Sequence, residues 1–293
     1  MTPASSPLRA GARLLAFLLL NVAMIVAYAV CLGPLRPWRR PIQVVWSKAC
    51  YRLAGITVRV VGDAYRAGPA LTVANHVSYL DIPILAALID AAFVAKREVA
   101  AWPLFGTAAR LTGTVFVNRS GGEAMSQRQE LIRRLATASA EGRGLILFAE
   151  GTSTDGSGVA PFKSSLFSIV ERPPEGSRLV LQPVSIAYPR YADGSALTGE
   201  RRALYCWFGD AGLMAHMWRM MSMKGAEAEV RFHPPIVIDA PVHRKALARQ
   251  AEAAVAAGVD AAFAGATADA ANAAERSPVE PIRSARVPAG VWR

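Results

Sequence analysis

Chemistry is concentrated in a few short blocks of the chain. In Asn75-His76-Val77-Ser78-Tyr79-Leu80-Asp81, a histidine and an aspartate stand five positions apart. On a regular helix that spacing turns two side chains about 140° away from each other, so a pairing needs a tight turn. Given such a turn, the Asp81 carboxylate accepts the Nδ1 proton and leaves Nε2 to draw a proton from a substrate hydroxyl. The competing role for Asp81 is to cap the helix whose first turn holds Pro83, with His76 as a loop residue.

A second block, Leu145-Ile-Leu-Phe-Ala-Glu150-Gly151-Thr152-Ser153-Thr154-Asp155-Gly156, sets a carboxylate at the end of an apolar strand and follows it with glycine and hydroxyl residues. Carboxyl edges of α/β sheets are where such folds bind ligands; an ordinary polar turn is the alternative. The Gly151 to Gly156 spacing resembles a phosphate-binding loop, but Ser157 stands where that loop needs lysine, and the reading is dropped. Third, Val115-Phe116-Val117-Asn118-Arg119 ends a strand in a guanidinium suited to phosphate or carboxylate. Fourth, Pro183 in Leu181-Gln182-Pro183-Val184 removes a ladder donor within an apolar run and implies an edge or a bulge.

The elements that must position these blocks alternate between short apolar runs and amphipathic stretches, the pattern of an α/β sheet. Strands are expected at Thr57–Val61, Leu71–Ala74, Phe93–Ala95, Val115–Val117, Leu145–Phe148, Leu179–Ala187, Leu204–Phe208 and Val230–Phe232. Helices are expected at Asp81–Asp90 and at about 122–141, 164–171, 211–222 and 246–275. The organisation expected is an N-terminal helical segment over 1–54, one domain with a mixed sheet over 55–245, and an Ala-rich helix with a Pro-bearing tail over 246–293.

Composition bounds the function. Of 293 residues, 53% are hydrophobic and 19% charged, which excludes disorder of the whole chain. The net charge is +11, and no acidic residue precedes Asp63. Eight basic residues, Arg9, Arg13, Arg36, Arg39, Arg40, Lys48, Arg52 and Arg59, lie in that otherwise apolar segment, which points to an anionic membrane surface rather than to nucleic acid. Leu14–Leu32 is 19 residues long with Asn21 its one strongly polar member, close to the length that crosses the hydrocarbon layer. The run is long for a signal peptide and lacks a small-x-small cleavage site. Two arrangements stay open: one span, or a helix pair in one leaflet with 36–54 on the surface, anchored by Trp38, Trp46 and Tyr51. Five basic residues follow the run and two precede it, so the domain is expected to face the cytoplasm at the inner membrane. Cys31, Cys50 and Cys206 have neither disulfide nor zinc spacing.

Taken in order, the four blocks resemble the glycerolipid acyltransferase family, which includes bacterial 1-acyl-sn-glycerol-3-phosphate acyltransferases. The resemblance rests on His76 with Asp81, on Arg119, on Glu150-Gly151-Thr152 and on Pro183-Val184, and covers about residues 70 to 190. It implies a single mixed-sheet acyltransferase domain in which His76 is the general base and Asp81 orients it. It further implies that Arg119 contacts an acceptor phosphate and that Glu150, Gly151 and Thr152 bind or shape the glycerol region. The acyl donor implied is acyl-CoA or acyl carrier protein as a substrate, with no cofactor and no metal. The acceptor would be a lysolipid, 1-acyl-sn-glycerol-3-phosphate in the first instance. Family members of that type often continue Glu-Gly-Thr with arginine, where this chain has Ser153; Lys163 is the nearby cation. Ser153-Thr154 and Trp207-Phe208-Gly209-Asp210 with His216 look similar to members that acylate lyso-ornithine lipids, which carry no phosphate, and this is the second reading. His216, His233 and His243 are expected to be structural.

Two other classes compete. A thioester or lipid hydrolase would share His76 and Asp81 but needs a nucleophile, and there is no Gly-x-Ser-x-Gly elbow; Ser78 reads as a turn hydroxyl. A non-enzymatic membrane scaffold would explain the N-terminal segment but not the ordered blocks.

Overall fold

The computed structural model describes residues 5–31, 34–102, 105–117, 133, 137, 142–171 and 179–276. Arg119, most of the helix expected at 122–141 and the Pro-bearing tail lie outside the described residues.

Among the described residues, eight strands form one mixed sheet: β1 (Ile56–Val61), β2 (Leu71–Ala74), β3 (Ala91–Lys96), β4 (Val115–Val117), β5 (Gly144–Phe148), β6 (Leu179–Tyr191), β7 (Ala226–Phe232) and β8 (Ile236–Ile238). Their order is β1-β7-β6-β2-β5-β3-β4, with β8 also on β6. β2 and β5 are buried along their whole length and run parallel, Ala74 beside Phe148. A strand covered on both faces reads as a continuous apolar run, which is why these two are visible in the sequence. Parallel pairing has a direct functional consequence. The chain leaves β2 into the His76 block and leaves β5 into the Glu150 block at the same edge of the sheet.

β6 is longer than the sequence suggests and lies inside the sheet, between β2 and β7. Pro183 therefore marks neither an edge nor a bulge. β8 leaves β6 at Leu181, β7 joins at Val184, and the missing N–H falls in the seam between those antiparallel partners. The bulge lies further on, between Ala187 and Arg190. Leu204–Phe208 is not a strand: a 3-10 segment (Gly199–Tyr205) runs into extended chain, held by the Tyr205 hydroxyl donating to the Gly225 carbonyl at 2.6 Å.

Six helices complete the described fold: α1 (Pro7–Val30), α2 (Arg39–Leu53), α3 (Asp81–Leu88), α4 (Phe105–Leu111), α5 (Leu213–Ser222) and α6 (Arg244–Arg276). Residues 164–171 are 3-10 rather than α. α6 is not an appendage. Its Leu247, Ala251 and Val255 sit in the same buried cluster as Leu145 and Leu181, and Arg190 ties it down by bridging Glu227 at 2.7 Å and Asp269 at 2.6 Å.

α1 and α2 form a hairpin docked along the domain. Ser6 caps α1 by accepting from the Arg9 amide at 3.3 Å. Arg9 and Arg13 then donate to the Ser222 and Met223 carbonyls at 3.0 and 2.8 Å, supplying cations to the C-terminal end of α5. At the other end of α1, Met24 and Tyr28 pack against Ala108 of α4. α2 runs back beside α3, where Arg40 donates to the Ala86 carbonyl at 2.7 Å.

Candidate active site

The turn that the His76–Asp81 pairing requires is present, and its cause is visible. Asp81 opens α3 and is fully buried. Its Oδ2 accepts from the Val77 and Ser78 amides at 2.8 and 2.9 Å, which bends residues 76–81 around the carboxylate. The same oxygen meets His76 Nδ1 at 2.8 Å. Asp81 does not cap α3, whose N-cap residue is Leu80 with no side-chain cap bond; the carboxylate instead holds the preceding turn and the imidazole together. Its second oxygen accepts from the Tyr188 hydroxyl at 2.9 Å. Burial beside Asp81 pushes the Tyr188 phenol well above its ordinary value, so it stays a donor. With Nδ1–H held by Asp81, Nε2 carries the free lone pair. The ring is 17% exposed and stacks on Phe148 at 3.9 Å with planes 17° apart. Ser78 is wholly buried and its Oγ accepts from the Leu80 amide, a turn hydroxyl rather than a nucleophile.

Glu150 reaches the same spot from β5, 2% exposed. Its Oε2 accepts from the His76 amide and its Oε1 from the Ala160 amide, both at 2.7 Å. Burial raises its carboxyl to about 7, against those two hydrogen bonds, with Asp81 and Glu252 adding to the rise. Both oxygens are thus committed inside the protein, and Glu150 shapes the site from behind instead of facing its cavity. Gly151 follows with φ 75°, a left-handed conformation that glycine takes at no steric cost and that turns the chain away from β5. Gly151, Thr152 and Ser153 then line the cavity beside His76. Thr154 closes the loop by donating its amide to the His76 carbonyl at 2.9 Å.

That cavity has a volume of about 420 Å³. Its wall is mostly apolar, from Phe93 and Phe148 on the sheet, Trp102 and Phe105, Trp207 and Phe208, and Met217 and Met221 of α5, to Phe17 on α1. Among the described residues, no lysine, arginine, aspartate or glutamate lines it; Lys163 does not reach it. His216 is buried and burial lowers it to about 4, with Arg219 adding to the fall, so it is neutral; its Nδ1 lies 3.2 Å from the Tyr79 hydroxyl. Sequence reasoning missed Tyr188, which lies in the mostly apolar β6 run, 107 residues from the carboxylate it serves. It also missed Phe148 as the platform for the imidazole.

A mostly apolar cavity lined by a carboxylate-held imidazole at the carboxyl edge of a mixed sheet is a site that suits an acyl chain. Comparisons with known proteins agree. The acyltransferase family model matches residues 56–187. The lyso-ornithine lipid O-acyltransferase of Brucella abortus is 38% identical over 245 residues, covering 80% of this chain and 90% of that protein. The 1-acyl-sn-glycerol-3-phosphate acyltransferase of Neisseria gonorrhoeae is 32% identical over 163 residues, 55% of this chain and 58% of that protein. The crystal structure of the 1-acyl-sn-glycerophosphate acyltransferase PlsC from Thermotoga maritima shares the fold, with a TM-score of 0.54 and 21% identity, covering 85% of this chain and 96% of that one. The chain belongs to the acyltransferase family and is an acyltransferase.

Proposed function

We propose that the protein transfers an acyl group from acyl-CoA or acyl carrier protein to the free hydroxyl of a lyso-ornithine lipid. The observation that carries this acceptor over 1-acyl-sn-glycerol-3-phosphate is the cavity wall, which bears no cation among the described residues and has Ser153 beside His76. A phosphate monoester brought into so apolar a wall loses hydration that no cation among the described residues replaces, whereas an ornithine headgroup carries its own ammonium beside its carboxylate. The 38% identical relative bearing the lyso-ornithine name supports the same reading.

In the reaction, His76 Nε2 takes the proton of the acceptor hydroxyl as its oxygen attacks the thioester carbonyl. The C–S bond then breaks, and the imidazolium returns the proton to the leaving thiolate. Asp81 stabilises that imidazolium and fixes its tautomer. Thr152 and Ser153 line the cavity, their amides meet no acceptor among the described residues, and we assign them to the developing oxyanion. Arg119, outside the described residues, is proposed to meet the carboxylate of the ornithine headgroup.

The hairpin supports a proposal for the membrane arrangement. α1 is apolar enough to span, yet its first turn is tied to α5 and its last turns pack on α4 of the same domain. A span would separate those ends by the hydrocarbon layer. We infer that α1 lies in one leaflet, its exposed Leu8, Leu15, Leu19, Val22, Val26 and Val30 turned to lipid, at the cytoplasmic side of the inner membrane.

The test gives purified protein one acyl thioester with lyso-ornithine lipid or with 1-acyl-sn-glycerol-3-phosphate in matched vesicles. Faster acylation of the ornithine lipid supports the reading. Faster acylation of the phosphate acceptor overturns it, and thioester cleavage indifferent to either acceptor restores the hydrolase.

A further inference from the structure

A second layer of residues stands behind the His76–Asp81 pair. Asp81 Oδ2 is crowded, meeting the Val77 and Ser78 amides and His76 Nδ1. Oδ1 has one partner among the described residues, the Tyr188 hydroxyl at 2.9 Å. Tyr188 is 2% exposed and comes from β6, which flanks β2 on the side opposite β5 and Glu150. Each strand beside β2 therefore sends one side chain to the His76 block.

The phenol is held in place from two directions. Its ring stacks on Tyr205, centroids 6.2 Å and planes 9° apart, and the Tyr205 hydroxyl is tied to the Gly225 carbonyl. The strand that carries it is clamped to the residue before His76: Asn75 Nδ2 donates to the Ile186 carbonyl at 2.9 Å, and Asn75 Oδ1 accepts from the Ile186 amide at 2.8 Å. These bonds close a circuit, from Asn75 to β6, along β6 to Tyr188, and through Asp81 back to His76. A buried network whose members are satisfied is rigid and specifies one arrangement.

We propose that Tyr188 is a positioning residue for acyl transfer: it holds Asp81 Oδ1 so that Oδ2 faces the imidazole, and it takes up part of the carboxylate's charge so that the imidazole is not trapped in its protonated, inactive form. The proposal rests on the acyltransferase reading above, with His76 as the base. A hydrogen bond donated to a carboxylate disperses its charge, and an opposite charge nearby favours the protonated imidazole. Losing the hydroxyl therefore strengthens the pull of Asp81 on the imidazolium, and the base stays protonated to higher pH.

Among the described residues, the other titratable groups around this layer are Glu150 and Asp155 from the β5 side, Tyr79 in the turn, Tyr205 and Cys206 ahead of α5, and His216 on α5. Burial raises Tyr79, Tyr205 and Cys206 and lowers His216 to about 4, while hydrogen bonds from Ser157 hold Asp155 below its ordinary value. Glu150, at about 7, is the one of these that changes charge near neutrality.

The experiment records kcat/KM against pH for transfer from an acyl thioester to a lysolipid by the unaltered protein and by Tyr188→Phe, which keeps the ring and its stack on Tyr205. The pair is repeated in a Glu150→Gln background, so that Glu150 cannot supply the titration. The expected result is a fall of about tenfold in plateau kcat, the worth of one hydrogen bond to a charged group, with KM changed less than about twofold. The acid limb, which reports the essential base, moves up by about one pH unit in both backgrounds. A lowered melting temperature with the limb in place would make Tyr188 merely structural and overturns the proposal, as does unaltered activity. Should Tyr188→Phe fail to fold, a tyrosine fluorinated beside its hydroxyl at this position, a stronger donor of nearly the same size, is expected to move the limb down. A limb that stays or rises with it overturns the proposal. Undiminished transfer by His76→Ala overturns the base and the Tyr188 role together, whereas an unmoved limb overturns the Tyr188 role alone.

Discussion

The backbone amide of His76 donates to the Glu150 carboxylate at 2.7 Å, so the residue proposed to move the proton is held by the block that follows a neighbouring strand. Because β2 and β5 are parallel neighbours, the link is short although the residues are 74 apart in sequence. Glu150 acts on the imidazole through the main chain, and its second oxygen fixes Ala160 at the far end of the loop that lines the cavity.

Glu150→Gln keeps an acceptor for one of the two amides, whereas Glu150→Ala orphans both. Each buried orphaned N–H costs about 1–3 kcal/mol, so the alanine variant should lose several-fold more transferase activity and melt at lower temperature than the glutamine variant. Steady-state rates and thermal unfolding of the pair check this. Equal behaviour of the two would remove the positioning role.

Glu150 also predicts a pH dependence of stability. With its carboxyl raised from 4.5 to about 7, the folded protein retains a proton that the unfolded chain releases across that window. The unfolded state then binds fewer protons, so this group's contribution to stability is present in full below about 4.5 and is lost as pH rises through about 7. Denaturant unfolding at several pH values should show the unaltered protein losing stability relative to Glu150→Gln as pH rises. A difference that stays flat, or grows in the other direction, contradicts it.

The orienting role of Asp81 is separable from its structural one. Asp81→Asn retains an amide near the Val77 and Ser78 N–H groups but favours the wrong imidazole tautomer, and comparable pairs lose about 10⁴-fold in kcat. The expected outcome is a fall of about 10³–10⁴-fold in kcat with KM changed little. A drop in KM-limited rate alone would mean that Asp81 only builds the turn.

How far the sequence discloses this site depends on the range of each contact. His76 with Asp81 is legible because the pairing is local, and a buried strand followed by a Pro-started helix leaves little but a tight turn between them. Glu150 is legible as a strand-end carboxylate, but not its partner, since that requires knowing that β5 lies beside β2. Tyr188 is invisible for the same reason. Pro183 misleads, because a missing donor is tolerated at a seam between two partner strands as well as at an edge. The Leu204–Phe208 run has strand composition and, among the described residues, no strand partner, and tertiary packing of Tyr205 decides its conformation.

The hairpin prediction concerns the membrane. Leu15, Leu19 and Val26 are exposed on one face of α1 and away from Phe17, which lines the cavity. Replacing the three by aspartate removes about 1.5–3 kcal/mol of apolar burial per side chain and adds charge that acidic lipid repels. The variant should stay folded and lose co-sedimentation with anionic vesicles. Undiminished vesicle binding would place the membrane contact elsewhere.

The central claim is that one imidazole draws the proton from the acceptor hydroxyl. The direct measurement is product formation from an acyl thioester and a lysolipid by His76→Ala, with folding verified by circular dichroism and thermal unfolding. The account predicts a fall of at least about 10²–10⁴-fold in the rate of acyl transfer with the fold retained. A folded His76→Ala protein that acylates the lysolipid at the unaltered rate would contradict it.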